Sequence, residues 1–440
     1  MQTYFYQLAD FINTLLSKNE TTLACLSAEE SNFVRFNKSA VRQAGSVKQI
    51  GLTLSLIANQ RRAESRLTLS GMNESDQALI REALETLRRD LGDLPEDPYL
   101  LFNQTPVSTE HIGASQLPSD AEMLEQVISA GRGKDLVGFF ASGAIYKGFA
   151  NSLGQRNWHR VDNFNFEWCL YHTADKAVKS GYAGTHWDAA ELQRKMAFAT
   201  TQLDILQRPA KSLTPGEYRA YLSPSALNEI VSLLSWGGFG EKSQRTKQSP
   251  LLKLEDGSQS LSGMVSLFEN SKDGVAPGFQ GDGFINAPAV SLIHAGKHAG
   301  ALVSPRSARE FNIETNGANS AEAPESLEMA AGKLAHADIL KNLDTGIMIG
   351  NLWYLNYSDR ANCRMTGMTR FATFWVEGGE IKAPINVMRF DDSAYRVLGE
   401  NLVDLTVERD WILDSASYGE RSTSSARLPG ALVNNFSLTL

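Results

Sequence analysis

The sequence predicts an α+β protein made of two domains, and three observations lead to this class. The chain has 440 residues, and a prior of roughly 150 residues per domain gives two or three domains. Up to about residue 210, segments with helical periodicity alternate with short strand-like runs. This predicts an N-terminal domain, 1–210, of helices packed on antiparallel strands. From Lys211 onward Gly, Ser and Asn become frequent, which predicts a mainly antiparallel β domain at 211–440.

The N-terminal half begins with an amphipathic helix. Its apolar side chains recur at helical spacing: Phe5, Leu8, Ile12 and Leu15. Residues 20–70 lose that period and predict successive short strands, among them LACLS, NFVRFN and IGLTLSLIAN. A second helix is expected at about 74–91, where Ile80, Leu84, Leu87 and Leu91 line one face.

Residues 93–118 contain Pro95, Pro98, Pro106 and Pro118 and predict an extended connector. A third helix is expected at 119–130 and a long one at about 187–207. Between them VGFFASG, AIYKGFANS and a stretch ending near Tyr171 are predicted as strands.

Helical signals are few in the C-terminal half. The segment 223–236 is one, with Ser223 as the N-cap and Pro224 at the first helical position. The remaining candidates are short strands separated by glycine turns such as Asp282-Gly283 and Gly378-Gly379. This pattern is typical of antiparallel β structure.

Composition restricts the partners and the compartment. The formal net charge is −8, which disfavours nucleic acid because binding to phosphates requires a surplus of cations. The three cysteines form no CxxC pair, as is usual in a reducing compartment. The first twenty residues lack the features of a signal peptide, and the apolar run 136–150 is too short and too interrupted to span a bilayer. We therefore expect a cytoplasmic protein without membrane contact.

Catalytic motifs are weak when the residues are considered alone. The chain has no GxSxG elbow, no Walker A motif and no GxGxxG after a strand. His294 and His298 are four residues apart, but the intervening Gly296 and the preceding apolar strand favour a β-hairpin over a zinc-binding helix. Asp391-Asp392 precedes a helical run and is explained by helix capping.

The order and spacing of four longer pieces resemble the TldD/PmbA family, also called modulators of DNA gyrase. The pieces are NFVRFNKSAVRQAGSVKQIGLTLSLI, VGFFASGAIYKGFANSLG, DGFINAPAVSLIHAGKHAGALVSPRSARE and GNLWYLNYSDRANCRMTGMTRFATFWVEGGEIKAPI. The resemblance spans nearly the whole chain. It implies an α+β N-terminal domain, a β-rich C-terminal domain and assembly of two family members around an internal chamber.

The resemblance also implies where a catalytic metal would lie. TldD-type members carry HExxxH on a helix, with a third zinc ligand from a Cys-Gly near the C-terminus. In this chain the matching positions hold Asn228, Glu229 and Leu233, and Tyr418 precedes Gly419 where the Cys would be. Asn is a poor zinc ligand and Leu is none. We therefore expect no metal and no cofactor in this chain, with zinc only in a TldD-type partner.

These substitutions point to the PmbA (TldE-like) side of the family. The expected role is a non-catalytic subunit that pairs with a TldD-type zinc metallopeptidase, or with a second copy of itself, around unfolded or extended peptides. Strand addition is one way for it to hold such a peptide. The proposed substrate contacts are Trp236, Tyr354 and Arg370.

Two other classes of function stay open at this point. One is an active metallopeptidase with an atypical site built from His294, His298 or Cys363. The other is a homodimeric regulatory or binding protein without peptidase activity.

Overall fold

The computed structural model describes residues 1–173, 176–415, 417 and 419–440. Its helices are α1 (Gln2–Thr14), α2 (Asn73–Asp93), α3 (Asp120–Gly131), α4 (Ala189–Leu206), α5 (Pro224–Leu234), α6 (Glu241–Arg245), α7 (Leu252–Glu255), α8 (Pro305–Phe311) and α9 (Ile339–Leu343). A 3-10 turn covers His336–Asp338, and a π-helical turn covers Arg396–Glu400. In the part of the chain that is described, no helix has the length and apolarity needed to cross a bilayer.

The first strands are β1 (Thr21–Asn37), β2 (Ala40–Ala58), β3 (Arg61–Leu69), β4 (Thr109–Ile112), β5 (Asp135–Asn151), β6 (Arg156–Thr173), β7 (Lys176–Gly184), β8 (Gly216–Leu222) and β9 (Leu267–Glu269). The later strands are β10 (Val290–His294), β11 (Lys297–His298), β12 (Ser326–Met329), β13 (Gly346–Asp359), β14 (Arg364–Glu377), β15 (Glu380–Pro384), β16 (Arg389–Ser393), β17 (Leu402–Leu413) and β18 (Ser425–Leu438). Mixed helices and largely antiparallel sheets confirm the predicted α+β class.

The N-terminal sheet has the order β3-β2-β1-β5-β6-β4, with β7 also pairing with β6. All of its pairings are antiparallel except the short β4–β6 contact. The predicted helices α1 to α4 are present, and their apolar faces cover one side of this sheet. Ala24, Leu26 and Ala28 of β1 pack in one core with α1 and α2. Further along the same side of β1, Val34 packs with α3 and α4.

Two predictions about strand length were wrong. LACLS and NFVRFN belong to the single strand β1, and VGFFASG and AIYKGFANS belong to the single strand β5. The polar residues Glu29 and Ser31 of β1 lie on the side of the sheet opposite the helices, where Ser31 Oγ donates to Glu29 and accepts from Arg421 of the C-terminal half. Strand pairing therefore continues through them.

The connector predicted at 93–118 contains the short strand β4, which pairs in parallel with β6. The rest of that segment is irregular between α2 and α3.

The C-terminal sheet has the order β11-β10-β9-β12-β18-β16-β14-β13-β8. β15 pairs with β14, β17 pairs with β18, and β18 also pairs with β8. The apolar face of α5 packs on this sheet through Leu227, Ile230, Val231 and Leu234, which are fully buried. This confirms the predicted helix and the β-rich second half.

A second core joins the two halves of the chain. Phe140 and Trp187 from the first half lie in one apolar cluster with Phe374 and Leu432 from the second. Because they share this core, the two halves stabilise each other. The domain boundary at 210/211 stays a prediction.

The uncovered side of β1 is closed by loops from the C-terminal half. The Cys25 thiol donates to the carbonyl of Gly281 (3.3 Å), and Ser27 Oγ donates to Glu420 Oε2 (2.6 Å). Next to them the Arg421 guanidinium is 8% exposed and donates to Ser31 Oγ (3.2 Å) and to the carbonyl of Asn163 (3.0 Å). Burial lowers the pKa of Arg421 to about 10, while the charge of Glu29 opposes that shift. Arg421 thus fixes the segment after residue 418 to the N-terminal sheet.

A second contact between the halves involves His159 on β6. Its ring is buried, stacks on His111 with centroids 5.0 Å apart, and its Nε2 lies 3.1 Å from the carbonyl oxygen of Val275. Burial lowers the pKa of His159 to about 4, and the charge of His111 adds to this effect.

Replacing Arg421 by Ala should destabilise the fold by about 3 kcal/mol, because buried acceptors and the Glu29 charge lose their partner. Chemical denaturation measures this loss. Arg66→Ala is the matched control, since Arg66 meets Glu420 only at 3.6 Å on an exposed surface, and it should change the free energy of unfolding little. Equal effects of the two substitutions would show that Arg421 does not anchor the halves.

His159 should make the protein less stable as the pH falls from 6.5 towards 4. In this window the unfolded chain binds a proton on this residue that the folded chain does not, so stability is present above 6.5 and is lost as pH falls towards 4. His159→Phe should flatten the decrease of the thermal unfolding midpoint over this range. The exposed His172→Gln should leave the slope unchanged, and an unchanged slope in His159→Phe would contradict the assignment.

Candidate functional site

Helix α5 is fixed to the C-terminal sheet at its first residue. Ser223 caps the helix, because its Oγ accepts from the backbone N–H of Ala226 (3.1 Å), and Pro224 occupies the first turn. The same hydroxyl donates to the carbonyl of Gly350 on β13 (2.6 Å). The start of α5 is therefore held against β13, and the residues that follow take fixed directions.

The three positions on α5 that match the family's metal motif have different surroundings. Glu229 is exposed and Asn228 is half-buried. Leu233 is 4% exposed and belongs to the apolar core of the C-terminal domain. Its carbonyl accepts a hydrogen bond from the hydroxyl of Tyr357 (2.8 Å). In this chain the last position of the motif is therefore a core position.

Glu229 has an altered environment although water reaches it. The surrounding protein raises the pKa of its carboxyl by desolvation, and the ammonium of Lys179 on β7 opposes that shift. Lys179 is itself paired with Glu167 on β6 at 2.9 Å. The helix of the C-terminal half and the edge of the N-terminal sheet thus form one electrostatic site.

Beside α5, the β13–β14 hairpin carries three bulges, and the first two lie on opposite strands. Pairing shifts by one residue between Ile349 and Asn351 and again between Trp353 and Asn356. At these places two aromatic residues have left-handed backbone, Phe371 with φ 55° and Tyr354 with φ 59°. Each such residue costs about 1–3 kcal/mol, and bulges of this kind redirect side chains at functional sites.

The bulges gather aromatic and cationic groups. The Arg370 guanidinium lies over the Trp353 ring at 4.1 Å and near the Phe371 ring at 5.2 Å. Tyr354 is 76% exposed, and its ring centroid lies 5.6 Å from that of Trp353. We call Trp353, Tyr354, Arg370 and Phe371 the bulge patch. Lys179 is 6.0 Å from the Phe371 ring, so the patch adjoins the Glu167–Lys179 pair.

Of the residues proposed to contact substrate, the structure brings two together. Tyr354 and Arg370 both belong to the bulge patch. Trp236 lies apart at the C-terminal end of α5, is 64% exposed, and its carbonyl accepts from Arg360 (2.6 Å). Among the described residues no hydrogen bond or ring contact joins Trp236 to the other two.

Tyr418 lies outside the described residues. Gly419, which follows it, accepts a hydrogen bond at its carbonyl from Gln49 on β2, and Glu420 and Arg421 also bind the N-terminal sheet. The described contacts of this segment are therefore with the N-terminal half.

The alternative site residues are separated by the fold. His294 ends β10 and His298 lies in β11, and Ile293 pairs with His298 while His294 pairs with Lys297, as the predicted hairpin requires. Cys363 is fully buried in the C-terminal core, and burial raises the pKa of its thiol to about 12. A neutral buried thiol is a poor nucleophile and a poor metal ligand.

The donors on α5 do not fit a zinc ion. A zinc peptidase site needs three His, Cys or carboxylate ligands at one point, and here one motif position holds an amide and another a core leucine. Elsewhere, within 1–173, 176–415, 417 and 419–440, no three such side chains are placed to share a metal.

Comparison with known proteins shows which family has this architecture. A model of the PmbA/TldA metallopeptidase C-terminal domain matches residues 215–440, the half that carries α5 and the bulge patch. The fold is thus that of a metallopeptidase-like protein. The chain belongs to the PmbA/TldD family. A comparison with curated proteins finds no match.

Solved structures share the fold over the whole chain at low identity. TldE from Thermococcus kodakarensis is 14% identical, with a TM-score of 0.78, and covers 99% of this chain and 100% of its own. A putative modulator of DNA gyrase from Thermotoga maritima is 14% identical with a TM-score of 0.76, covering 99% and 100%. A similarly described protein from Bacteroides thetaiotaomicron is 14% identical with a TM-score of 0.71, covering 99% and 98%.

Sequence reasoning missed Lys179, Phe371 and Trp353. Lys179 stands in an ordinary strand pattern, KAVKSG, and only the meeting of the two sheets brings it near α5. Trp353 and Phe371 lie in segments with an ordinary strand pattern, and the bulges have no sequence signature because their left-handed positions hold no glycine.

Placing histidine at positions 228 and 233 should not create a metal site. In the double variant Asn228→His/Leu233→His, the second imidazole enters an apolar core, where its polar ring nitrogens lack partners and its flat shape packs less well than leucine. We expect a loss of about 3 kcal/mol in unfolding free energy and no stoichiometric zinc.

Asn228→His alone is the matched control, because position 228 is half-buried and tolerates the ring. Metal analysis and thermal unfolding measure both outcomes. A stable double variant that holds one zinc per chain would show that the side chain at position 233 can turn towards the site.

Proposed function

We propose that this chain is the metal-free, PmbA/TldE-like subunit of a peptidase assembly. In this role it pairs with a TldD-type zinc metallopeptidase and completes a chamber in which unfolded or small peptides are cut. The observation that carries the proposal is that Leu233 lies in the core. A side chain at this position points away from the site and would not reach a metal ion there after a small rotation.

The bulge patch supports a role in holding peptide. Its backbone bulges are costly, and such costs persist where they serve a function. Trp353 and Tyr354 expose aromatic faces, and Arg370 supplies a cation held on the Trp353 ring. Aromatic and arginine side chains of this kind dominate the energetics of protein recognition.

The division of labour follows from the geometry of a pseudo-symmetric pair. Two related chains can enclose one space, and a single zinc in one of them is enough for cutting. The other chain then contributes surface. The name of the Thermococcus structure, TldE, is consistent with this assignment for a relative of the same fold.

Co-expression with an HExxxH-bearing family member from the same genome tests the proposal. We expect one complex on size exclusion, about one zinc per pair by mass spectrometry, and cleavage of an unfolded peptide. The chain alone should be free of zinc and inactive. The matched control is the same pair with the partner's motif Glu changed to Gln, which should assemble but not cut.

Other results would overturn the proposal. Zinc and cleavage in the isolated chain would make it a peptidase with an atypical site. A stable homodimer that ignores the partner and leaves cleavage unchanged would favour a regulatory or binding protein.

A further inference from the structure

A cavity of about 650 Å³ lies on the open side of the N-terminal sheet, beyond the place where Arg421 binds. This volume is within the range of about 300–1,000 Å³ of ligand sites. The ends of β1, β2, β5 and β6 form its wall, and Ser415 and Ser417 of the C-terminal half lie at its edge. The C-terminal half therefore leaves this part of the sheet accessible.

The cavity carries two uncompensated cations. Arg35 on β1 and Arg42 on β2 line it, and both side chains are exposed. Neither has an ion-pair or hydrogen-bond partner among the described residues. Glu167, the acidic residue of the lining, is already paired with Lys179 (2.9 Å). The local charge is thus positive in a chain whose net charge is −8.

Glu167 and Cys169 of β6 also line the cavity. Cys169 contributes no negative charge, because burial raises the pKa of its thiol to about 11. Trp168, between them in the strand, points to the other side of the sheet and packs in the core under the helices. The two arginines without partners therefore favour a ligand with acceptor oxygens.

The wall also has an apolar part that a small inorganic anion would not use. Phe139 lines the cavity and stacks with Phe33 at a centroid distance of 6.4 Å, and Val137 beside it is 37% exposed. Glu167 in this wall is paired with Lys179, which lies 6.0 Å from the Phe371 ring of the bulge patch. A ligand that uses both the arginines and the apolar wall is amphipathic as well as anionic, and one that spans the wall of β1, β2, β5 and β6 is extended.

We propose that this cavity binds an acidic, extended peptide segment. Aspartate or glutamate carboxylates of the peptide bind Arg35 and Arg42, and an apolar side chain packs on Phe139. This assignment rests on the proposed function and narrows its substrate class from unfolded peptides to acidic ones.

Binding of short fluorescein-labelled peptides to the full-length chain tests this, with fluorescence anisotropy as the readout. The probes share one sequence of Gly, Ser and Leu and differ at interspersed Asp, Asn or Lys positions. We expect the Asp peptide to bind at least about tenfold more tightly than the Asn peptide. Its affinity should fall as NaCl rises from about 50 to about 300 mM.

Arg35→Glu/Arg42→Glu should abolish the preference for the Asp peptide, and Arg35→Gln/Arg42→Gln should reduce it. The matched control is Arg89→Glu/Arg309→Glu, which makes the same charge change at exposed positions on α2 and α8. Circular dichroism verifies the fold of each variant. The control should keep the preference.

Three results would overturn the proposal: equal affinity for the Asp and Asn peptides, equal loss in the control variant, or complete displacement by millimolar inorganic phosphate, which would assign a small-anion site. The test is separable from that of the proposed function. If the pair assembles and cuts while the Asp preference is absent, only the cavity assignment fails. If no pair forms while the preference is present, only the proposed function fails.

Discussion

The second side of the N-terminal sheet is the constraint on which the rest of the structure depends. Helices α1 to α4 bury one side, and the opposite side contains polar groups that need partners away from water. Arg421 supplies them, because its guanidinium reaches Ser31 and Asn163 from the C-terminal half. This contact brings α5 and the bulged hairpin to the edge of the N-terminal sheet. It also leaves open the end of the sheet where Arg35 lies.

The chemistry of the site follows from which face of α5 is buried. The hydrophobic effect holds Leu233 with Ile230 and Leu234 in the core, so the helix leaves Glu229 outside the core, where Lys179 of β7 acts on its carboxyl. Desolvation raises the pKa of the Glu229 carboxyl, and the charge of Lys179 opposes this shift. A single carboxylate beside a lysine is a polar surface group and does not supply the three ligands that zinc needs. Lys179 of β7 also lies 6.0 Å from the Phe371 ring, so the bulge patch and Glu229 have this lysine as a common neighbour.

The family could be recognised from the order of four sequence pieces, and the helices could be predicted because their apolar faces repeat with the helical period. Tyr354 and Arg370 were predicted as substrate contacts, and this stays a prediction. That both adjoin the Trp353 ring depends on bulges whose left-handed positions hold no glycine. Lys179 and Arg35 could not be found, because an isolated cation in a strand has no pattern. Strands β1 and β5 were each predicted as two short strands. Polar side chains inside a long strand interrupt its apolar pattern when they face the other half of the chain.

The sequence by itself determined the α+β class, the family and the absence of histidine at positions 228 and 233, because these depend on residue type and order along the chain. Only the tertiary structure decided that Leu233 is a core residue, that Arg421 joins the two halves, and that Arg35 and Arg42 line one cavity without charge partners. The physical reason is that burial and unpaired charge are properties of contacts between segments far apart in the chain. They exist only after the two sheets meet.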